Sequence, residues 1–186
     1  MAAKEKYPQV PTFMYGHSMG GNKVLNYVLR YRPQIQATIV TSPWLRLAFA
    51  PPQSQLMLGK VMRAVYPAFT LDGGFEENTL SRDPAVDAAY YNDPYVHTKV
   101  TSQLFFDCYE AGFWALEHAH EFPTPLLLAH GDGDKITDYT ASVEFAQKAP
   151  NCTFKQWAGL YHETHNEPEK DEVIAYNLSW LDSQLP

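Results

Sequence analysis

The chain has 186 residues, of which 45% are hydrophobic and 14% aromatic, so it can bury a core as one domain with at most a sizeable insertion. Lys and Arg number 14 against 21 Asp and Glu, and the net charge of -7 argues against nucleic-acid binding and against a polybasic membrane anchor. Because no apolar run reaches the ~18 residues of a membrane span and Met1 to Pro8 hold no apolar signal-peptide core, we predict a cytoplasmic protein without a transmembrane segment.

Four short apolar runs, each bounded by turn residues, predict the buried strands of a parallel sheet. They are residues 11–16, 37–42, 125–130 and 152–157. Helical periodicity separates them, first from Met19 to Tyr31 and later from Asp138 to Lys148. Near the C-terminus Asn166 is the predicted N-cap of a helix whose apolar face carries Ile174, Leu178 and Leu181. This alternation of strands and helices indicates an α/β fold.

The segment between the second and third strands is different, because it contains helical patterns and no convincing strand. A first helix is predicted from Gln55 to Tyr66, with Leu58, Val61, Met62 and Val65 on one face. Asp83 and Pro84 open a short helix through Tyr90, and a third helix runs from Ser102 to His118. An insertion of this length exceeds a simple crossover, so we predict that residues 44–119 form a helical cap. Residues 1–43 and 120–186 then form the core, with the cap over the carboxyl ends of its strands, where open α/β sheets bind ligands.

The sharpest motif is Gly-His-Ser-Met-Gly-Gly at residues 16–21, which matches G-x-S-x-G between a predicted strand and a predicted helix. Glycines allow the tight turn that lifts the serine hydroxyl out of the sheet edge. The helix that begins at Met19 directs its first amides at a developing oxyanion. We therefore predict Ser18 as a nucleophile and the Met19 amide as an oxyanion donor.

A serine nucleophile needs a carboxylate and a histidine, which follow it in the order Ser, Asp, His. Asp134 lies in the turn after the third strand and is the preferred carboxylate, while Asp132 and Asp138 are competitors. His162, in the loop after the fourth strand, is the preferred base, and His165 is its rival.

The other histidine motifs predict different roles. His17 and His130 flank the site and are expected to act as turn and supporting groups. His162-Glu163-Thr164-His165 is one residue shorter than the H-E-x-x-H motif, so we predict no metal site of that kind.

These motifs together resemble the α/β-hydrolase branch that contains monoacylglycerol lipases and lysophospholipases. The resemblance extends from about Pro11 to Leu185 and rests on four groups of residues. They are Gly16 to Gly21; the cap segment Leu80 to Pro84 with Asn92 to His97; His130-Gly131-x-x-Asp134; and Tyr161-His162-Glu163 with Asn166-Glu167. It implies a serine carboxylesterase that acts on monoacyl lipids through an acyl-enzyme, without a metal or organic cofactor.

The resemblance also implies a departure from the family pattern. Family members carry about four further strands before the nucleophile strand, and a loop after one of them supplies a second oxyanion donor. About ten residues precede the first predicted strand here, so the chain resembles strands five to eight with their cap. Losing one oxyanion donor typically costs about 10²–10³-fold in turnover. The alternative to a small esterase is therefore a non-catalytic or split half that needs a partner chain.

Two further expectations concern substrate and partners. Apolar cap residues are expected to leave a channel above Ser18 for an acyl chain, and His17, Leu58, Met62, Phe105 and Phe106 are the predicted substrate contacts. The first strand is predicted to present an unpaired edge. We expect that edge to form a homodimer or to bind a partner chain, unless Met1 to Val10 folds back over it.

Overall fold

The computed structural model describes residues 5–73 and 76–185, and the predicted α/β fold with a parallel sheet is confirmed. The four predicted strands are β1 (Phe13–His17), β2 (Ala37–Thr41), β5 (Leu126–Gly131) and β6 (Cys152–Trp157). In the described part of the chain they form a parallel sheet in the order β1-β2-β5-β6. Residue 13 pairs with residue 37 and residue 126 with residue 152, so the carboxyl ends of the strands lie together.

Helices cover both faces of this sheet. The helices are α1 (Met19–Tyr31), α2 (Gln53–Val65), α3 (Pro84–Asn92), α4 (Ser102–His118), α5 (Tyr139–Lys148) and α6 (Lys170–Ser183). Leu126 and Leu128 of β5 pack in one core cluster with side chains of α1, α4 and α5. Ala129 faces the other way and packs with Trp157 of β6 and Val173 of α6, as the two-residue period of a strand requires.

Residues 43–122 contain short strands that the sequence reading missed. β3 (Thr70–Asp72) pairs antiparallel with β4 (Lys99–Thr101), so the expectation of a segment without strands is wrong. Each strand has three residues, which is too short for a two-residue hydrophobic alternation to be recognisable.

The helix α4 ties this segment to the core. Asn22 of α1 donates to the carbonyl of Cys108, and Gly112 lies against the backbone of Leu45 so closely that a Cβ would come within 2.2 Å of that carbonyl oxygen. Ala115 and Leu116 belong to the core cluster. The division into core and cap stays a prediction, and α4, which belongs to the predicted cap, packs into the core cluster.

The C-terminal helix differs from its prediction at its start and in its buried face. It begins at Lys170 with Glu169 in the N-cap position, so Asn166 is not the N-cap. Val173 is fully buried, whereas Ile174 and Leu178 are 44% and 55% exposed. Among the described residues, none of the helices combines the length and the apolar character that crossing a bilayer demands.

Candidate active site

Ser18 occupies a sharp turn between β1 and α1. Its φ of 52° lies in the left-handed region that a residue with a Cβ rarely adopts. Hydrogen bonds fix this conformation, because the Ser18 amide donates to Thr41 and the Ser18 carbonyl accepts from Asn22 and Trp44. Gly16 is needed for the turn, since a Cβ there would lie 2.6 Å from the carbonyl oxygen of Gly20.

The Ser18 side chain makes no capping hydrogen bond to α1, although serine commonly caps helices. Its hydroxyl is therefore not committed to the helix. The first amides of α1, beginning with that of Met19, have no acceptor within the helix, and the first turn holds no acidic residue. This helix end is consequently suited to an anion beside Ser18.

Asp134 lies in the turn after β5 with its side chain inaccessible to solvent. Its Oδ1 accepts from the amides of Ile136 and Thr137, and its Oδ2 accepts from the Thr137 hydroxyl at 2.8 Å. Two histidines also bond Oδ2, namely His130 at 3.0 Å and His162 at 2.7 Å. Burial opposes ionisation, but the hydrogen bonds from His130 and then His162 outweigh it and hold the pKa of Asp134 well below its usual range. Asp134 is therefore a buried carboxylate with both oxygens occupied.

His162 is 2% exposed and bonds Asp134 through Nδ1. An ionised carboxylate can only accept, so Nδ1 carries the hydrogen and Nε2 is left as the basic nitrogen. The Ser42 hydroxyl donates to the His162 carbonyl at 2.8 Å and anchors the loop from the β2 side. The structure thus brings two of the predicted triad residues into direct contact.

The competing residues are bonded elsewhere. Asp132 accepts from Gln156 and from the amide of Gly159. Asp138 caps α5 and forms an ion pair with Arg46 at 2.8 Å. His165 packs its ring 4.8 Å from that of His17.

His17 packs against His162, with ring centroids 4.8 Å apart, and its Nδ1 lies 3.0 Å from the Thr41 hydroxyl. Burial, followed by the neighbouring His162 and His165, lowers the pKa of His17 to about 2. The His17 ring is therefore a much weaker base than an ordinary histidine, and it stays neutral beside His162. It is not among the residues that line the cavity above Ser18, and its contact with substrate stays a prediction.

A cavity of about 280 Å³ lies over Ser18 beneath the inserted segment. Thr137, whose hydroxyl bonds Asp134, is also part of its wall, so the cavity adjoins the Asp–His pair. Phe105 and Phe106, two of the predicted substrate contacts, line it. Leu58 and Met62 do not line it, and Leu58 is 49% exposed. Most of the wall is apolar, and its remaining residues are Trp44, Leu47, Phe49, Pro51, Gln55, Leu56, Gly59, Asp72, Gly73, Val100, Thr101, Ser102 and Ile136.

Two features of this site were not predicted from the sequence: Thr137 bonds the carboxylate, and the buried Glu167 accepts from the Tyr161 amide next to His162. His130, which the sequence suggested as a supporting group, bonds the same Oδ2 as His162. In the sequence, Glu167 is recognisable only as part of the Asn166-Glu167 pair. A glutamate inside an acidic, polar segment carries no signal that it will be buried. In the described ranges, no three His, Cys, Asp or Glu side chains are grouped so as to hold a metal ion.

Comparison with known proteins gives consistent matches over almost the whole chain. The profile of the Hydrolase_4 family, described as serine aminopeptidase S33, matches residues 1–169. The chain is 34% identical over 180 residues to an uncharacterised abhydrolase-domain protein of Dictyostelium discoideum, covering 95% of the chain and 19% of the relative. It is 30% identical over 186 residues to a monoacylglycerol lipase of Mycolicibacterium smegmatis, covering 98% and 66%.

A solved structure of a monoacylglycerol lipase is also similar to this chain. The crystal structure of Paleococcus ferrophilus monoacylglycerol lipase matches with a TM-score of 0.91 and 27% identity, over 99% of this chain and 72% of that one. The chain spans from about a fifth to two thirds of the length of the two curated relatives named above.

Proposed function

Because the chain belongs to the Hydrolase_4 family of α/β-hydrolases and is similar to its monoglyceride lipases, we propose that it is a serine carboxylic-ester hydrolase acting on monoacyl lipids. The observation that carries the proposal is the position of Ser18. It lies at a helix N-terminus and in the wall of an apolar cavity, and Thr137 in the same wall bonds the buried Asp134–His162 pair.

The proposed reaction passes through an acyl-enzyme. The Ser18 Oγ attacks the ester carbonyl while its proton moves to Nε2 of His162, and Asp134 stabilises the imidazolium through Nδ1. The carbonyl oxygen becomes an oxyanion beside the Met19 amide. Collapse breaks the bond to the alcohol, which takes the proton from His162 as it leaves. Water then attacks the acyl-serine with His162 as base, and the fatty acid departs with Ser18 restored.

The size and chemistry of the cavity favour one acyl chain. Its volume of about 280 Å³ lies just below the ~300–1,000 Å³ found for small-molecule pockets, which suits a monoacyl lipid better than a triacylglycerol. The apolar side chains of Phe105, Phe106 and Leu56 suit a hydrocarbon chain. These features favour ester over peptide substrates, although the family description names an aminopeptidase.

A second proposal follows from the length of the relatives. Since the chain covers 66% of the Mycolicibacterium lipase, a further segment or a partner chain would complete the oxyanion hole with a second donor. The two proposals differ in one measurement, because only the first expects turnover by this chain alone.

The test of the nucleophile is covalent labelling by a fluorophosphonate probe. Wild-type protein should label at Ser18, Ser18→Ala should not, and His162→Ala should label at least 100-fold more slowly, since Ser–His function is lost (~10²–10⁴). His165→Ala is the matched control and should label at close to the wild-type rate. Folded wild-type protein that never labels, while a control hydrolase does, would refute the catalytic proposal for this chain alone.

The test of the substrate uses the cavity wall. Leu56→Trp should reduce turnover of long-chain p-nitrophenyl esters much more than that of the acetate, because the larger side chain fills the acyl space. Leu58→Trp, two residues away and outside the wall, is the control and should preserve the chain-length profile. Faster cleavage of aminoacyl p-nitroanilides than of monoacylglycerols would contradict the assignment to lipid esters.

A further inference from the structure

His130 lies at the carboxyl end of β5 and bonds the same carboxylate, Asp134, as His162. Its side chain is completely buried. Nδ1 lies 2.7 Å from the Ser142 hydroxyl of α5, and Nε2 lies 3.0 Å from Oδ2 of Asp134. The same Oδ2 is bonded by Nδ1 of His162 at 2.7 Å. One carboxylate oxygen therefore joins two buried imidazoles.

The acceptors decide where the protons of His130 lie. Asp134 is ionised and can only accept, so the hydrogen of His130 must be on Nε2. In the neutral ring Nδ1 then accepts from the Ser142 hydroxyl, which is itself fully buried. The donors run in one direction, from Ser142 to His130 and from His130 to Asp134.

The charge of Asp134 is consequently shared. Each donor to Oδ2 takes part of the negative charge that would otherwise stabilise the imidazolium form of His162. Thr137 contributes a third donor at 2.8 Å and lies 3.4 Å from Nε2 of His130 and from Nδ1 of His162. Losing the donor of His130 leaves more charge for His162, so His162 would keep its proton to a higher pH.

From this geometry we infer that His130 is a positioning residue, which orients the shared oxygen of Asp134 and sets the pH at which His162 becomes an active base. The inference rests on the proposed function in one respect, namely that His162 is the base.

Other groups around the two histidines do not replace this role. His17, at the end of β1, and His165, in the short 3₁₀ turn 164–166, face His162 from the other side, and burial is the main cause that lowers the pKa of each. His17, with a pKa of about 2, stays neutral through the range in which esterases are assayed, and Asp134 provides the negative charge bonded to His162. His130 has the ring of Tyr139 at 5.8 Å as a further titratable neighbour, and burial raises the pKa of that tyrosine.

The experiment compares two substitutions of the same residue. His130→Asn keeps a polar group near Ser142 but cannot reach Asp134, whereas the amide of His130→Gln can stand in for Nε2–H. The pH dependence of fluorophosphonate labelling of Ser18 is measured for each. His130→Asn should move the acidic limb up by about 0.5–1 pH unit. His130→Gln should return it toward the wild-type position, and His120→Asn, on a histidine whose side chain is 67% exposed, should leave it unchanged.

A merely structural role for His130 would lower stability or the labelling rate without moving the limb. Folded His130→Asn protein with the wild-type limb would therefore overturn the inference. The imidazole proton resonances of His162 are titrated by NMR in the same variants. If the wild type never labels, the proposed function fails, and this titration still decides whether His130 sets the protonation of His162.

One measurement requires no variant, so a substitution that prevents folding does not weaken the test. Long-range proton–nitrogen correlation spectra of the wild type should show His130 with its hydrogen on Nε2 and none on Nδ1. The opposite tautomer would break the order of donors and overturn the inference.

Discussion

Replacing Arg82 by methionine should destabilise the protein through a buried carboxylate 85 positions along the chain. Glu167 is 1% exposed, and its Oε2 accepts from the backbone amide of Arg82 at 3.0 Å and from the Arg82 guanidinium at 3.1 Å. The Ser81 hydroxyl lies 3.3 Å from the same oxygen, and Oε1 accepts from the Tyr161 amide. Arg82 provides the positive charge of this arrangement, so its loss leaves Glu167 ionised and buried without a counter-charge.

The expected loss of stability follows from leaving the buried Glu167 carboxylate without its counter-charge. Breaking a buried ion pair by removing one partner typically costs about 3–5 kcal/mol. Glu167 keeps three neutral donors after the substitution, and the Arg82 side chain is 34% exposed, so solvent already screens part of the attraction. A loss of about 2–3 kcal/mol is therefore expected. For a chain of this size that corresponds to a fall in Tm of roughly 4–12 °C.

Urea unfolding of the purified protein measures this change as a free energy of unfolding. Glu169→Gln is the matched control, because Glu169 pairs with the same guanidinium at the surface, and it should unfold close to the wild type. Arg82→Met combined with Glu167→Gln should recover about half of the loss, since the unpaired buried charge is gone. If Arg82→Met matches the Glu169→Gln control, or if the double variant is the least stable of all, the reasoning is refuted.

Three other outcomes are expected. First, the pKa of His17 is about 2 in the folded protein and ~6.5 in an unfolded chain. Below pH ~6.5 the unfolded state therefore binds a proton that the folded state does not bind, and the free energy of unfolding decreases as the pH is lowered. Between pH 7 and 5 the wild type should lose about 2 kcal/mol more than His17→Gln in urea unfolding, and equal losses would contradict the burial of a neutral ring. Second, Gly131→Ala should be destabilised by about 1–3 kcal/mol, because its Cβ would lie 2.2 Å from the carbonyl oxygen of Leu160, whereas Gly20→Ala should be tolerated, since no atom lies within 4 Å of that Cβ. Equal thermal stability of these two variants would show that the loop before His162 yields to the added methyl group. Third, β1 pairs with β2 on one side, and in the part of the chain that the structure describes no strand pairs with its other edge, so we expect self-association through that edge. Light scattering at micromolar concentration tests this, and a monodisperse monomer would contradict it.

Sequence reasoning succeeded where local signals and packing agree. The bounds of Met19–Tyr31 and Ser102–His118 are the predicted ones, and Asp83 caps the helix that Pro84 begins, accepting from the amide of Ala85. Each of these helices has its own capping residue, breaker or apolar stripe in the sequence. The four core strands were recognisable because strands buried on both faces are continuous apolar runs.

The buried faces of α2 and α6 were predicted wrongly for a common reason. Large apolar residues were assumed to face inward, yet Leu58, Val61 and Val65 of α2 are about half or more exposed. Besides the surface ion pairs of Arg63, α2 contacts α4 through Gly59, where a Cβ would lie 2.9 Å from the ring of Phe106. A small residue therefore defines this interface by allowing close approach, and hydrophobicity scales assign it no weight.

The partners of the candidate triad could not be predicted because they depend on tertiary contacts. Asp134 was preferred over Asp132 for its distance from the strand end. What distinguishes them in the structure is that Asp134 turns inward, toward His130, Thr137 and His162, while Asp132 bonds Gln156 near the surface. A spacing argument selects the right turn but does not reveal how many donors the fold brings to one carboxylate.

The inserted segment, residues 44–119, is attached more firmly to the rest of the chain at some of its elements than at others. Its residues next to α3 are held on the loop around His162 (residues 158–169), because the Glu163 amide donates to the Leu80 carbonyl at 2.8 Å and the Ser81 hydroxyl donates to the carbonyl of Asn166. α4 is held on the core through α1. In contrast, the described residues of α2 include only Gly59 as a buried residue, although α2 supplies part of the cavity wall. The loop around His162 and α4 are thus held by buried contacts, whereas α2 is attached to α4 through Gly59 and through the ion pairs of Arg63 with Asp107 and Glu110.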